Sequence, residues 1–233
     1  MSVGRPSSPA APPTSTRVLV KICGITRPEQ AAACLHAGAH WIGLNFHPAS
    51  PRFVNTAQAE ALVGAVGDAA RVVGVFVDRP AAEVRAVATR LGLGAVQLHG
   101  AEPPAYYGEL GALTIVRAYR VRDESSLAAL RADLEESERL GRAPDCILVD
   151  AFDPARVGGT GRLIQDILLQ QLPSHPRLIV AGGLTPENVA ERAALARPWM
   201  VDVAGGVESR PGEKDLARVE AFVRGVRAVE LRP

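Results

Sequence analysis

Aromatic residues make up only 4% of this 233-residue chain. A surface that stacks nucleic-acid bases needs more of them. The formal net charge is +1, so there is no general electrostatic pull toward nucleic acid or anionic lipid. Cysteine is sparse too. Cys23, Cys34 and Cys146 form neither a CxxC pair nor a zinc-like spacing, and no metal is expected from them. Their odd number, with no secretory signal, points to a reducing, cytoplasmic setting. No apolar stretch approaches the roughly 20 residues that span a bilayer, so no membrane partner is expected. Lysine is the scarcest cation: among 26 Lys+Arg residues only Lys21 and Lys214 are lysines. A position that keeps lysine in such a chain is one that a planar guanidinium does not fit.

What the chain does have is material for a core. Hydrophobic residues reach 47% and charged residues 22%, ordinary values for a globular protein. The length suits one large domain or two small ones; an α/β barrel takes about 250 residues as one domain. Residues 1–16 are rich in Pro, Ser and Ala and lack an apolar run. They are expected to form a disordered tail, with residues 17–233 as the folded domain.

From residue 17 onward a single pattern repeats. A short β-branched run ends in Gly, Asp, His or Asn, and a helical stretch follows. The expected strands are Arg17–Cys23, Trp41–Phe46, Arg71–Val77, Ala95–His99, Thr114–Val121, Cys146–Asp150, Arg177–Ala181 and Met200–Ala204. They recur at intervals of roughly 20–30 residues, which leaves room for one crossover helix between parallel strands. Helices are expected at Pro28–Ala37, with Thr26 as N-cap and a stop near Gly38, and at Ala81–Leu91, with Val84, Val87, Ala88 and Leu91 on one face. Two more are expected at Pro186–Leu195 and Leu216–Val229. Eight strands alternating with helices predict an α/β fold, a single (β/α)8 TIM barrel. A doubly wound open sheet is the competing form.

Barrel chemistry sits at the C-terminal strand ends. Cys23, Asn45, His99 and Asp150 all fall there. Alternation puts Leu19, Lys21 and Cys23 on one face of the first strand and Val18, Val20 and Ile22 on the other. The purely apolar set suits the helices, so Lys21 and Cys23 should point into the barrel. Lys21 then needs a carboxylate partner, and Asp202 on the eighth strand is the first candidate. Asp150 follows Ile147-Leu148-Val149; a carboxyl beside so apolar a run needs a partner or a task. A thiol and a carboxyl on two strand ends point to a base and an acid facing each other across a pocket. Arg52 lies in a loop stiffened by Pro48 and Pro51, which suits a guanidinium held for bidentate carboxylate recognition. Gly182-Gly183 and Gly205-Gly206 follow strands seven and eight, where many barrels bind phosphate through backbone N–H groups. Glu208, just beyond, is a candidate cap for a short helix. Gly158-Gly159-Thr160-Gly161 reads as a mobile active-site loop. A cysteine buried as a small hydrophobe, a loop salt bridge for Asp150 and a surface arginine are the ordinary alternatives.

Several segments together resemble the phosphoribosylanthranilate isomerase family. They are Lys21-Ile22-Cys23-Gly24-Ile25-Thr26, Gly43-Leu44-Asn45-Phe46, Ser50-Pro51-Arg52-Phe53-Val54, Val96-Gln97-Leu98-His99-Gly100, Leu148-Val149-Asp150, Gly158-Gly159-Thr160-Gly161, Ala181-Gly182-Gly183-Leu184-Thr185-Pro186-Glu187-Asn188-Val189 and Val201-Asp202-Val203. They occur in the family's order. The resemblance implies an isomerase of tryptophan biosynthesis that carries out an Amadori rearrangement on a small phosphosugar. It implies Cys23 as general base and Asp150 as general acid. Arg52 would hold the anthranilate carboxylate, Gln97 and His99 would line the pocket, and Gly183, Gly205 and Gly206 would bind the phosphate. No metal or organic cofactor is expected, because the substrate's own nitrogen serves as electron sink. A free thiol near pKa 8.5 would need no strong perturbation to act as base.

The chain departs from the family pattern at Ala204 and Gly205, where serines often stand, and at Arg162, where a lysine often stands. The rival enzymatic reading, a histidine-pathway or dual-substrate aminoaldose isomerase, resembles a two-aspartate design, and Cys23 in the base position argues against it. A non-catalytic phosphate binder on the same scaffold would lack the acid or the base. Monomer and homodimer are both left open.

Overall fold

The computed structural model describes residues 17–151 and 164–230. Eight parallel strands close into a barrel in sequence order. They are β1 (Leu19–Cys23), β2 (Trp41–Asn45), β3 (Val72–Phe76), β4 (Ala95–Leu98), β5 (Thr114–Val121), β6 (Cys146–Ala151), β7 (Leu178–Val180) and β8 (Met200–Val203). The helices between and after them are α1 (Pro28–Ala37), α2 (Thr56–Val66), α3 (Ala81–Leu91), α4 (Ala105–Glu109), α5 (Glu124–Arg139), α6 (Asp166–Gln170), α7 (Val189–Ala196) and α8 (Leu216–Glu230). The expected barrel is present and the open sheet is excluded. β1 pairs with β2 on one side and with β8 on the other. The Gly158–Gly161 loop and Arg162 lie outside the described residues.

Alternation along the strands sorts the core into two layers. Outward residues such as Val20, Ile22, Ile42 and Leu44 join Val219, Phe222 and Val223 of α8 and the other helix faces in one large apolar shell. Inward residues Val116, Ala118, Cys146, Leu148, Ile179 and Met200 fill the barrel. Trp41 and Trp199 meet edge to face at its N-terminal end, with centroids 5.4 Å apart. The interior is therefore a packed apolar plug below, and polar groups collect only in the layers above it.

Local sequence explains most boundaries. Gly38 closes α1 in the left-handed region, its N–H reaching back to Cys34 and Leu35, as a C-terminal glycine does. The N-terminus of α1 differs from expectation. Arg27 is the capping residue and makes no side-chain cap, because the Thr26 hydroxyl donates instead to Gly212 O at 2.6 Å. Thr26 thus ties the loop after β1 to a hairpin after β8. The helix expected from Pro186 begins only at Val189. Asn188 takes up the preceding turn, accepting from Thr185 N and donating to Gly183 O, each at 2.9 Å. On α3, Val87 is only half-buried while Val84, Ala88 and Leu91 are buried.

Ile22 has no exposed surface and belongs to the shell between barrel and helices. Ile22→Ala is expected to lower unfolding free energy by about 2–5 kcal/mol, the usual cost of such a cavity. Urea denaturation followed by circular dichroism measures it, and a loss under about 1 kcal/mol would contradict this packing.

Candidate active site

Above the apolar plug the barrel opens into a cavity of about 500 Å³. Cys23, Arg52, Gln97, His99 and Asp150 line it, and so do Gly183, Gly205 and Gly206. Every residue singled out in the sequence as catalytic or substrate-binding therefore faces one space. Asp202, Glu208, Arg218 and Asn45 line it as well.

The floor begins with Lys21. It is fully buried and faces Asp202 directly in the β1–β8 register. Its ammonium donates to Asp202 Oδ2 at 2.8 Å, so the pairing expected from barrel closure is formed. Burial disfavours the ammonium, but Asp202 and the Cys23 sulfur outweigh it, and the lysine stays charged more firmly than usual. Cys23 sits two residues further along the same face. Gly24 follows in the left-handed region with φ +76, and a Cβ there would lie 2.2 Å from Arg52 Cδ. Only glycine lets the Arg52 side chain pass so near the thiol. The thiol is not left as a free group. Burial pushes it up, Asp202 adds to that, and Lys21 and Lys214 pull against them without reversing the direction.

Arg52 is held from two sides. Its own N–H donates to Ser50 Oγ at 3.1 Å. Its guanidinium grips Glu208 with Nε to Oε1 at 2.8 Å and Nη2 to Oε2 at 2.6 Å. The bidentate geometry is the expected one, yet the carboxylate it holds belongs to the protein. A guanidinium carries five N–H donors, so the Nη1 end is available to a second carboxylate. Glu208 does close a short helix, through its backbone: its N–H bonds to Gly205 O at the end of the tight turn Gly205–Val207, while its carboxylate goes to Arg52 and Lys214. It opens the hairpin strand Glu208–Arg210, which pairs with Glu213–Lys214. Lys214 donates to Glu208 Oε1 at 2.6 Å and to Ala204 O at 3.1 Å. Burial pushes the Glu208 carboxyl up, but Arg52 and Lys214 outweigh it and hold it below the ordinary glutamate range.

Across the cavity, Gln97 Nε2 lies 2.8 Å from His99 Nδ1. The amide N–H donates, and Nδ1 can accept from it in the tautomer that carries its proton on Nε2. That nitrogen is 3.6 Å from Asp150 Oδ2. Gln97 is 1% exposed, and its Oε1 is buried without a hydrogen-bond partner. The remaining wall is backbone. Gly182 and Gly183 both adopt positive φ. Gly206 lies so close to the β7 loop that a Cβ would meet Leu184 O at 1.8 Å. Arg218, at the start of α8, donates from Nε to Gly206 O at 3.0 Å.

The sequence reading missed Lys214, Arg218 and the role of Glu208. Lysine scarcity was the one signal for Lys214. Nothing in the sequence pointed to Arg218, and Glu208 was singled out only as a cap, because the two reach the cavity through a helix start and a hairpin rather than from a strand end.

A thiol, a carboxyl and cationic and glycine-rich anchors at the C-terminal rim define a TIM-barrel enzyme. The family model described as N-(5'phosphoribosyl)anthranilate (PRA) isomerase matches residues 20–225. The N-(5'-phosphoribosyl)anthranilate isomerase of Geobacter sulfurreducens is 42% identical over 207 residues, which is 89% of this chain and 97% of that one. That of Myxococcus xanthus is 38% identical, covering 92% and 98%. The crystal structure of phosphoribosyl anthranilate isomerase from Thermotoga maritima superposes with a TM-score of 0.78 at 30% identity, covering 91% of this chain and 99% of that one. The chain belongs to the N-(5'-phosphoribosyl)anthranilate isomerase family. It is an isomerase of tryptophan biosynthesis.

Glu208→Gln gives a pH test of the cationic corner. A depressed carboxyl stabilises the fold above its unfolded value, and the effect is lost as pH falls through the folded value. The variant should therefore be less stable than the parent at pH 7. The gap should close at pH values well below about 4, the range of an unfolded glutamate. Thermal midpoints of both proteins from pH 7 to pH 3 measure it; a gap constant across that range would contradict the arrangement.

Proposed function

We propose that Cys23 and Asp150 are the base and the acid with which this isomerase converts N-(5-phosphoribosyl)anthranilate to 1-(2-carboxyphenylamino)-1-deoxyribulose 5-phosphate. The observation that carries this reading is their placement on one cavity, on β1 and β6, with Arg52 and the backbone of Gly183, Gly205 and Gly206 at its edges. A related enzyme has been crystallised with reduced 1-(o-carboxyphenylamino)-1-deoxyribulose 5-phosphate, and it superposes with a TM-score of 0.74 at 31% identity over 91% of this chain.

In this mechanism Asp150 gives its proton to the furanose ring oxygen. The C1′–O bond breaks and the aryl nitrogen's lone pair forms a Schiff base. The cationic C=N acidifies the neighbouring C2′ proton, and the Cys23 thiolate removes it. The C2′–H electrons move into the enolamine, which tautomerises to the ketone. No electrons enter or leave, so the substrate nitrogen does the work of a cofactor. Arg52 holds the anthranilate carboxylate through its Nη1 end while Glu208 fixes the other edge. Gln97 orients His99, and His99 Nε2 faces the Asp150 carboxyl. The phosphate sits against Gly183, Gly205 and Gly206, whose backbone can approach it closely. Two anchored ends hold C1′ and C2′ between acid and base, and this positioning itself supplies much of the rate.

We further assign residues 17–233 to one catalytic domain, with residues 1–16 outside the chemistry, and place the enzyme in the cytoplasm. Among the described residues no helix is long and apolar enough to cross a membrane.

Cys23→Ser and Asp150→Asn are each expected to lower kcat at least ~100-fold, the scale of general acid–base catalysis. Arg52→Ala should mainly raise KM. Steady-state assays with N-(5-phosphoribosyl)anthranilate measure these effects. Growth of a tryptophan auxotroph lacking this step, restored by the parent gene and by neither of the first two variants, is the matching test in cells. Near-normal turnover in either variant would reject the assignment.

A further inference from the structure

Gly183, Gly205 and Gly206 present only main-chain groups to the cavity, and Thr185 beside them adds a neutral hydroxyl. Such donors carry partial charges, whereas a phosphate monoester carries about −1.5 to −2 at neutral pH. Among the described residues three guanidinium groups line the cavity, those of Arg52, Arg210 and Arg218. Arg52 is gripped by Glu208 at the other end. Arg210 lies on the exposed hairpin with its Nε on Glu213. Arg218 differs from both. It is half-buried in the first turn of α8, and its Nε donates to Gly206 O at 3.0 Å. Glu187 Oε2 stands 3.7 Å from its Nη2, too far for a hydrogen bond. Of the five donors on a guanidinium, Arg218 thus uses one among the described residues. Its place is fixed by the helix start. Asp215 Oδ1 accepts from Arg218 N at 3.1 Å, and Asp215 N donates to Val207 O at 2.9 Å. The first turn of α8 is thereby pinned to the turn that carries Gly205 and Gly206.

We propose that Arg218 is a further substrate-binding residue, whose Nη groups meet the substrate's phosphate beside Gly205 and Gly206. The inference rests on the reading of the glycine wall as the phosphate site. The main-chain groups set the shape of that wall, and Arg218 adds a full charge to it. Because the bond to Gly206 O holds the guanidinium by its Nε side, the Nη1 and Nη2 donors are left for phosphate oxygens, the planar two-point contact that suits arginine. Two carboxylates stand near this cation. Asp215 is engaged with the main chain of the helix start. Glu187, 69% exposed, pairs with Arg218 only through space, and a phosphate in direct contact displaces so loose a partner.

Competitive inhibition of the full-length enzyme by the two halves of its substrate separates this role from a structural one. Ribose 5-phosphate probes the glycine end, and anthranilate probes the Arg52 end. Arg218→Met should raise KM and the ribose 5-phosphate Ki about tenfold, the low end for a hydrogen bond to a charged group at a half-exposed site. The kcat and the anthranilate Ki should stay within about twofold, as for lost binding that does not change between ground and transition state. Arg218→Gln can still donate to Gly206 O but carries no charge, and it should lose ribose 5-phosphate affinity as Arg218→Met does. Arg218→Lys keeps the charge and should recover most of the loss. An unchanged ribose 5-phosphate Ki in Arg218→Met and Arg218→Gln would overturn the proposal. So would equal losses toward both halves, or an Arg218→Lys enzyme as weak as Arg218→Met, since those mark a distorted wall rather than a missing charge. Failure of the phosphate-site reading looks different: ribose 5-phosphate would then not compete with substrate in the parent enzyme, and the role of Arg218 would fall with it.

Discussion

Closure of the barrel through the β1–β8 ladder is the constraint from which the site follows. Once Lys21 is in register with Asp202, strand alternation leaves Cys23 no choice but to face the cavity one layer higher. The same rule raises Asp150 above Leu148 on β6, and Gln97 above Ala95 on β4. A slip of one residue on β1 would turn Val20 and Ile22 inward and bury Lys21 and Cys23 among helices. The apolar shell forbids that slip, since Ile22 and Val20 are packed against it. Catalytic geometry is thus held by hydrophobic packing on the opposite face of the same strand.

The charged layer carries a cost that the fold does not need. Buried ion pairs are seldom more stabilising than well-packed apolar side chains of the same size. The lower barrel shows the alternative, with Val116, Leu148, Ile179 and Met200 filling the same interior without a charge. Lys21, Arg52, Asp202, Glu208 and Lys214 stand only at the level where a substrate enters. Locally unfavourable groups gathered at one height of an otherwise apolar barrel are the pattern expected of a functional site.

Most of this was legible because barrel strands obey a period-two rule and end in chemistry. Cys23, His99 and Asp150 were readable as strand-end residues, and Lys21 as an inward cation because its neighbours Val20 and Ile22 are apolar. The α1 cap and the α7 start were less legible. Thr26 and Asn188 are good capping residues by type, but each is engaged by a loop that is distant in sequence or bent back on itself. Glu208 was legible only in part. Local sequence placed it after a glycine pair, where a cap is reasonable, while its partners Arg52 and Lys214 come from another loop and from the far side of a hairpin.

In the proposed mechanism the two ends of the cavity bind an anion by opposite means. At the Arg52 end the donors are side chains, fixed by Glu208 and by the Ser50 hydroxyl. At the glycine end they are main chain, and Ala204 and Gly205 remove the hydroxyls that serines would bring. Backbone donors cost no side-chain entropy, because the loop that presents them is already ordered. Here the order comes from Asn188 clasping Gly183 O and Thr185 N, and from Gly206 lying against Leu184 O too closely for any side chain. Arg218 adds a bond to Gly206 O from the α8 side. The loss of hydroxyls therefore falls on a loop whose shape does not depend on them, and the chain keeps its glycine wall through Asn188, Gly206 and Arg218.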